Sequence, residues 1–181
     1  MKNIVILISG RGSNMQAIVN AGIPDVRIAA VLSNSATAAG LAWAAERGIP
    51  TDSLNHKDFA SRGAFDQAMM EKIDAYQPDL VVLAGFMRIL TPEFCTRYEG
   101  RLMNIHPSIL PSFTGLHTHE RALAAGCRVA GCTIHFVTPE LDRGPIISQG
   151  VVPIFDNDTA DDIAARVLKV EHQLFPQAVA D

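Results

Sequence analysis

The sequence predicts an α/β fold built on a mostly parallel sheet. Continuous apolar runs of strand length recur at residues 3–9, 26–33 and 79–84, as expected of strands covered on both faces. Stretches with helical spacing stand between them, at 15–21, 38–47 and 59–76, and turn residues such as Gly22, Gly48 and Pro78 close them. Strand and helix in alternation require right-handed crossovers, and such sheets gather ligands at the carboxyl ends of their strands.

In chain order, the first strand leads into Ser9-Gly10-Arg11-Gly12-Ser13-Asn14. A strand, a glycine-rich turn and a helix start form an anion site, because free N–H groups and the positive end of the helix dipole converge there. Met15 occupies the third glycine position of a dinucleotide fingerprint, so one phosphate monoester suits the turn better than a pyrophosphate. The alternative is a tight turn in which Ser13 or Asn14 only caps the helix. Residues 50–54 suggest a short strand, and residues 59–76 a helix amphipathic through Phe65, Met69, Ile73 and Tyr76. Gly85-Phe86-Met87-Arg88-Ile89-Leu90 is an apolar strand-end loop that either lines a flat hydrophobic pocket or is buried as core. Thr91-Pro92 supplies a cap and a first helical residue. His117-Thr118-His119-Glu120 opens a helix, where histidines two apart do not share a face, which argues against a metal pair. Residues 129–138 alternate like a half-exposed antiparallel strand, with His135 read as a hydrogen-bonded structural residue. Residues 146–154 give a last strand, and Thr159 with Asp161 and Asp162 starts the closing helix.

The stretch that suggests chemistry is Leu102-Met103-Asn104-Ile105-His106-Pro107, continuing to Gly115. It begins as a strand, and Pro107 and Pro111 then force the backbone out of the sheet as a rigid loop. The period of two places Asn104 and His106 on one face and Met103 and Ile105 on the other. An amide can hydrogen-bond an oxygen that becomes negative in acyl transfer, and an imidazole moves protons near neutral pH. The pair therefore suits chemistry at a carbonyl carbon. The alternative is that Asn104 caps the strand end and His106 is a satisfied loop histidine. Asp142, in the turn-rich Pro139-Glu140-Leu141-Asp142-Arg143-Gly144-Pro145, can orient His106 if the fold brings them together; otherwise it belongs to a surface turn.

A chain of 181 residues, 48% of them hydrophobic, is long enough for one domain with a proper core. The net charge of −4 and the lack of a Lys/Arg block argue against a nucleic-acid surface. No apolar stretch has the length of a membrane span and no signal peptide precedes the first strand, so a cytoplasmic location is expected. Cys95, Cys127 and Cys132 are scattered thiols without a C-x-x-C pair, neither a disulfide frame nor a zinc site.

Taken together, Gly10-Arg11-Gly12-Ser13-Asn14, Ala84-Gly85-Phe86-Met87-Arg88-Ile89-Leu90, Asn104-Ile105-His106-Pro107-Ser108 and Glu140-Leu141-Asp142 with Gly144-Pro145 resemble the folate-dependent formyltransferases. The resemblance spans the chain in the family's order, and Gly115-Leu116-His117-Thr118-His119 narrows it to members acting on a glycinamide ribotide. It implies one Rossmann-like, three-layer formyltransferase domain over residues 1–181, mostly parallel with an antiparallel C-terminal part. It further implies transfer of the formyl group of 10-formyltetrahydrofolate to the amine of glycinamide ribonucleotide in purine synthesis. By matching positions, His106 would be the general acid/base, Asn104 would bind the formyl oxygen, and Asp142 would hold His106 in its working state. Gly12, Ser13 and Asn14 would hold the ribotide phosphate, Lys169 would reach it, and Glu171 would meet the amine. The folate side would comprise Arg62, Met87, Arg88, Ile89, Leu90 and Thr138, Pro139, Glu140, Leu141 and Asp142, with the pterin among Leu83, Ile89, Leu90, Leu102 and Val137. Neither a metal nor a covalent nucleophile is required. Arg11 departs from the commonest family residue and is expected to flank the chemistry rather than supply it.

Small-molecule substrates are thus the expected partners, with no nucleic acid or membrane, in a monomer or homodimer. The rival readings are a formyltetrahydrofolate deformylase, which shares the triad but uses water as acceptor, and a non-catalytic nucleotide-binding module. The first normally carries a regulatory domain ahead of the catalytic one. The second leaves the polar face of Asn104 and His106 without a purpose.

Overall fold

The computed structural model describes residues 1–181. The strands are β1 (Lys2–Ile8), β2 (Val26–Ser33), β3 (Thr51–Ser53), β4 (Leu80–Leu83), β5 (Leu102–His106), β6 (Val129–Phe136) and β7 (Ile146–Pro153). The helices are α1 (Ser13–Asn20), α2 (Ala39–Glu46), α3 (Arg62–Asp74), α4 (Pro92–Arg97), α5 (Thr118–Ala124) and α6 (Ala160–Ala180). One seven-stranded sheet runs in the order β3-β2-β1-β4-β5-β6-β7. Its pairs are parallel from β3 through β5, while β6 and β7 are antiparallel.

Alternation along each strand divides the core into two layers. Ile4, Ile6 and Ile8 of β1 pack with Met15 and Ile18 of α1, Ala44 of α2, Ala122 of α5 and Ile163, Val167 and Phe175 of α6. Val5 and Leu7 point the other way, onto Phe65, Met69 and Ile73 of α3 and Phe94 of α4. Each fully buried side chain of this size contributes roughly 1.5–3 kcal/mol, so the doubly covered strands carry most of the cohesion. The close seat of α6 on β7 depends on Gly150, where an added Cβ would come within 2.4 Å of Val170 Cγ1 and 2.6 Å of Leu174 Cδ1.

Two elements differ from the sequence expectation. The helix expected from residue 59 begins at Arg62, because a 3₁₀ turn occupies His56–Asp58 and the Ser61 hydroxyl caps the helix by accepting from the Ala64 N–H at 3.1 Å. Phe59 instead packs edge-on against Phe65, with ring centroids 5.6 Å apart. β6 is almost wholly buried rather than half-exposed. One of its faces meets the α6 layer, and the loop after β5 covers the other, with the Leu110 N–H donating to Thr133 Oγ1 at 3.0 Å.

The path runs outward from β1 to β2 and β3, then returns to place β4 on the other side of β1. That reversal opens a crevice at the carboxyl ends of β1 and β4, where an open α/β sheet binds ligands.

Candidate active site

The crevice at the reversal is a cavity of about 420 Å³ walled by residues 9–14, Ala84, Gly85 and Met87 from the strand ends, and by Leu168 and Glu171 from α6. Gly12 precedes α1 with φ +67°, and a Cβ there would press on Ile8 Cγ2 and Met15 Cε at 3.1 Å. No side chain caps α1, so Ser13 and Asn14 do not act as caps and the first helical N–H groups stay available to an anion. Ser9 Oγ donates to Asn34 Oδ1 and accepts from the Met87 N–H, both at 2.7 Å, joining the glycine-rich turn to the apolar loop after β4. Asn14 is buried and its Nδ2 donates to Glu171 Oε1 at 3.0 Å. Burial pushes the Glu171 carboxyl above its ordinary range, partly offset by the Asn14 hydrogen bond.

A second cavity, of about 180 Å³, lies beside the ends of β4 and β5. Leu83, Phe86, Ile89, Leu90 and Val137 give it apolar walls, and Asn104, His135 and residues 138–142 give it polar ones. Arg88 reaches across it with its guanidinium 4.3 Å from the centre of the Phe65 ring. Burial lowers the His135 imidazole below its usual range, so the ring is neutral near pH 7. Its Nδ1–H donates to the Phe136 carbonyl at 3.0 Å, while Nε2 is buried without a partner.

Asn104 stands opposite His135 and His106 opposite Thr133 in the β5–β6 ladder, with Met103 and Ile105 on the other face, as the alternation requires. The buried His106 ring is gripped from two sides. Nε2–H donates to the Phe113 carbonyl at 2.8 Å, and Nδ1 lies 3.6 Å from Asp142 Oδ1. That separation is too long for a hydrogen bond. Asp142 is itself fixed, in a positive-φ conformation (+54°) with Oδ2 accepting from the Gly115 N–H at 2.8 Å. Its loop can approach β6 only because residue 144 is glycine, since a Cβ there would fall 1.6 Å from the Phe136 carbonyl oxygen. Thus an amide, an imidazole and a carboxylate from β5 and the β6–β7 loop converge at the strand ends, with Asn104 and Asp142 lining the second cavity and His106 held against Asp142 without lining either.

Four expected positions lie elsewhere. Met87 lines the crevice beside the glycine-rich turn instead of the second cavity, because its N–H is held by Ser9. Leu102 is sealed in the core layer beneath the second cavity. Arg62 opens α3 as an exposed residue and lines neither cavity. Lys169 is exposed on α6, turned away from the face that carries Leu168 and Glu171. Conversely, Ser9, Phe86, Cys95, His135, the Phe113 carbonyl and Gly144 shape the site without having been given a role in it. Ser9, Phe86 and Gly144 stand in motifs the sequence displays and His135 reads as structural, whereas Cys95 and the Phe113 carbonyl carry no sequence signal of a site.

A Rossmann-like sheet with this cluster at its carboxyl edge defines a transferase acting at a carbonyl carbon, and the chain belongs to the formyl transferase family, whose sequence model matches residues 2–179. It is 51% identical to phosphoribosylglycinamide formyltransferase of Escherichia coli (strain K12), over 98% of this chain and 85% of that protein. It is 45% identical to the trifunctional purine biosynthetic protein adenosine-3 of Bos taurus, over 97% of this chain but only 18% of that longer protein. The crystal structure of phosphoribosylglycinamide formyltransferase from Brucella melitensis superposes with a TM-score of 0.93 at 51% identity, covering 99% of this chain and 94% of that one.

Proposed function

We propose that this chain transfers the formyl group of 10-formyltetrahydrofolate to the amine of glycinamide ribonucleotide, giving formylglycinamide ribonucleotide and tetrahydrofolate. The observation that carries this reading is the convergence of Asn104, His106 and Asp142 at the apolar cavity, on a sheet edge that also carries the phosphate-suited crevice at the end of β1.

In this reading the pterin occupies the cavity lined by Leu83, Ile89, Leu90 and Val137, with the 138–142 backbone along its polar edge. The ribotide phosphate lies at the Gly12-Ser13-Asn14 turn, and the amine end points past Glu171 toward the formyl carbon. Attack forms a new C–N bond and leaves a negative oxygen on the tetrahedral carbon, which the Asn104 amide stabilises. The amine must then lose a proton and the folate N10 must gain one. His106 carries that proton between them through Nε2 once that nitrogen releases the Phe113 carbonyl, while the Asp142 carboxylate orients the ring from the Nδ1 side and faces the positive charge it gains on protonation. Collapse of the intermediate breaks the C–N10 bond. No step needs a metal, so chelators should leave turnover intact.

The deciding experiment measures tetrahydrofolate release from 10-formyltetrahydrofolate with and without glycinamide ribonucleotide. Release that requires the ribotide and yields the formylated ribotide supports the proposal; release into water at the same rate without it would make the chain a deformylase.

A further inference from the structure

This inference deepens the reading of the crevice at the sheet reversal as the acceptor-phosphate site and rests on it. A phosphate held only by backbone N–H groups is a buried dianion with little countercharge. The crevice already contains one carboxylate, Glu171, and the α6 residue beside it is the apolar Leu168. Lys169 is turned away, which leaves Arg11 as the only cationic side chain in the lining.

Arg11 is placed to serve as that countercharge. Its guanidinium enters none of the six ion pairs of the molecule, Glu171 included. Its backbone, in contrast, is fixed. The Arg11 carbonyl accepts from Gln16 Nε2 at 3.2 Å, and the Gly10 carbonyl accepts from the Gly40 N–H at 3.1 Å. Helix α2 comes so close that a Cβ on Gly40 would lie 2.8 Å from the Arg11 carbonyl oxygen. The Arg11 charge also reaches α6, where it adds to burial in lowering the His172 imidazole. A pinned backbone with an exposed, unpaired guanidinium in the lining of the crevice is the arrangement for closing over an anion bound there.

We propose that Arg11 is the charged ligand of the acceptor's phosphate, gripping it from the side opposite the Gly12-Ser13-Asn14 N–H groups, and so sets this chain's preference for phosphorylated acceptors. Arginine suits the task because its planar fork can donate two parallel hydrogen bonds to phosphate oxygens.

The test compares wild type, Arg11→Ala and Arg11→Lys with glycinamide ribonucleotide and with its dephosphorylated riboside. A charged hydrogen bond of this kind is worth about a factor of ten or more in affinity. Arg11→Ala should therefore raise KM for the ribotide roughly tenfold with little change in kcat, and lower the ribotide-to-riboside ratio of kcat/KM by a similar factor. Arg11→Lys should recover part of both, since it restores the charge but not the fork. The proposal is overturned if the ratio is unchanged in Arg11→Ala, or if ribotide and riboside lose equally, which would mark a general distortion of the turn. Calorimetric titration with ribose 5-phosphate reads anion binding without turnover. Binding that depends on Arg11 in a protein that formylates no ribotide would overturn the proposed function and leave the phosphate ligand standing; binding indifferent to Arg11 in an active enzyme would do the reverse.

Discussion

In the proposed mechanism the buried His106 and Glu171 and the half-buried Asn104 divide the chemistry, and each would cost stability without a task. In that mechanism His106 moves a proton and does not grip the folate, so His106→Ala should lower turnover by roughly 10²–10⁴-fold while folate affinity, read by fluorescence titration, stays within a few-fold. Asn104→Ala should cost about 10²–10³-fold in kcat, as loss of one oxyanion donor does. Glu171 gives a pH prediction. Its folded-state carboxyl is shifted upward by burial, so its contribution favours folding below the ordinary carboxylate value and is lost as pH rises through the raised one. Glu171→Gln should therefore melt higher than wild type near neutral pH, with the difference shrinking as pH falls toward 4; a constant difference in a pH series of thermal melts would contradict that origin. At this scale the sequence was legible where side-chain identity and strand period suffice, as for Asn104 and His106. The Phe113 carbonyl that grips His106 has no side-chain signature, and the place of Asp142 depended on a contact across 36 residues that no local pattern encodes.

Among the elements, the loop between β6 and β7 does most to assemble the site, and its constraint is backbone packing. Gly144→Ala must push the strand or the loop aside, because the clash is with the fixed Phe136 carbonyl. Overpacking of this sort costs about 1–3 kcal/mol, and here it should displace Asp142, lowering kcat beyond what the stability loss explains; chemical denaturation and turnover of the same variant separate the two. The closing helix is anchored differently, by a reciprocal capping box in which Thr159 Oγ1 accepts from the Asp162 N–H and the Asp162 carboxylate accepts from the Thr159 N–H. Thr159→Ala should cost about 1 kcal/mol, seen as a shifted denaturation midpoint. The acidic start of that helix was readable from Thr159, Asp161 and Asp162, as was the Thr91-Pro92 start of α4, because caps are local. The start of α3 was misplaced for the same reason in reverse, since the apolar Phe59 invites an earlier start and only Ser61, as the actual cap, begins the helix after it. The exposure of β6 was misjudged because the loop that covers it arrives from 25 residues away, through Ser108 and Thr133.

For the molecule as a whole, the order β3-β2-β1-β4-β5-β6-β7 matters more than any single residue. It sets the glycine-rich turn beside the end of β4 and the end of β5 beside the β6–β7 loop, so both cavities are composed of segments distant in sequence. The unfolded chain has neither cavity, and each ligand should therefore stabilise the fold by an amount set by its concentration relative to its own dissociation constant. At a hundred times its dissociation constant that is about 2.7 kcal/mol. For a domain of this size such a gain raises the melting temperature by roughly 5–10 °C. In the proposed reading tetrahydrofolate and ribose 5-phosphate address different cavities, one bounded by Val137 and the 138–142 segment, the other by residues 9–14 and α6. Their stabilisation free energies should therefore add when both are present. The ligands share one link, the Met87 N–H held by Ser9 Oγ, which ties the phosphate turn to the loop that walls the pterin cavity. Ser9→Ala removes that tie while leaving the Gly12-Ser13-Asn14 N–H groups and the pterin-side walls in place, so any excess over additivity in wild-type melts should disappear in the variant. Competition between the two ligands, with the second adding no stabilisation in the presence of the first, would mean that they occupy one cavity and would defeat the assignment of both.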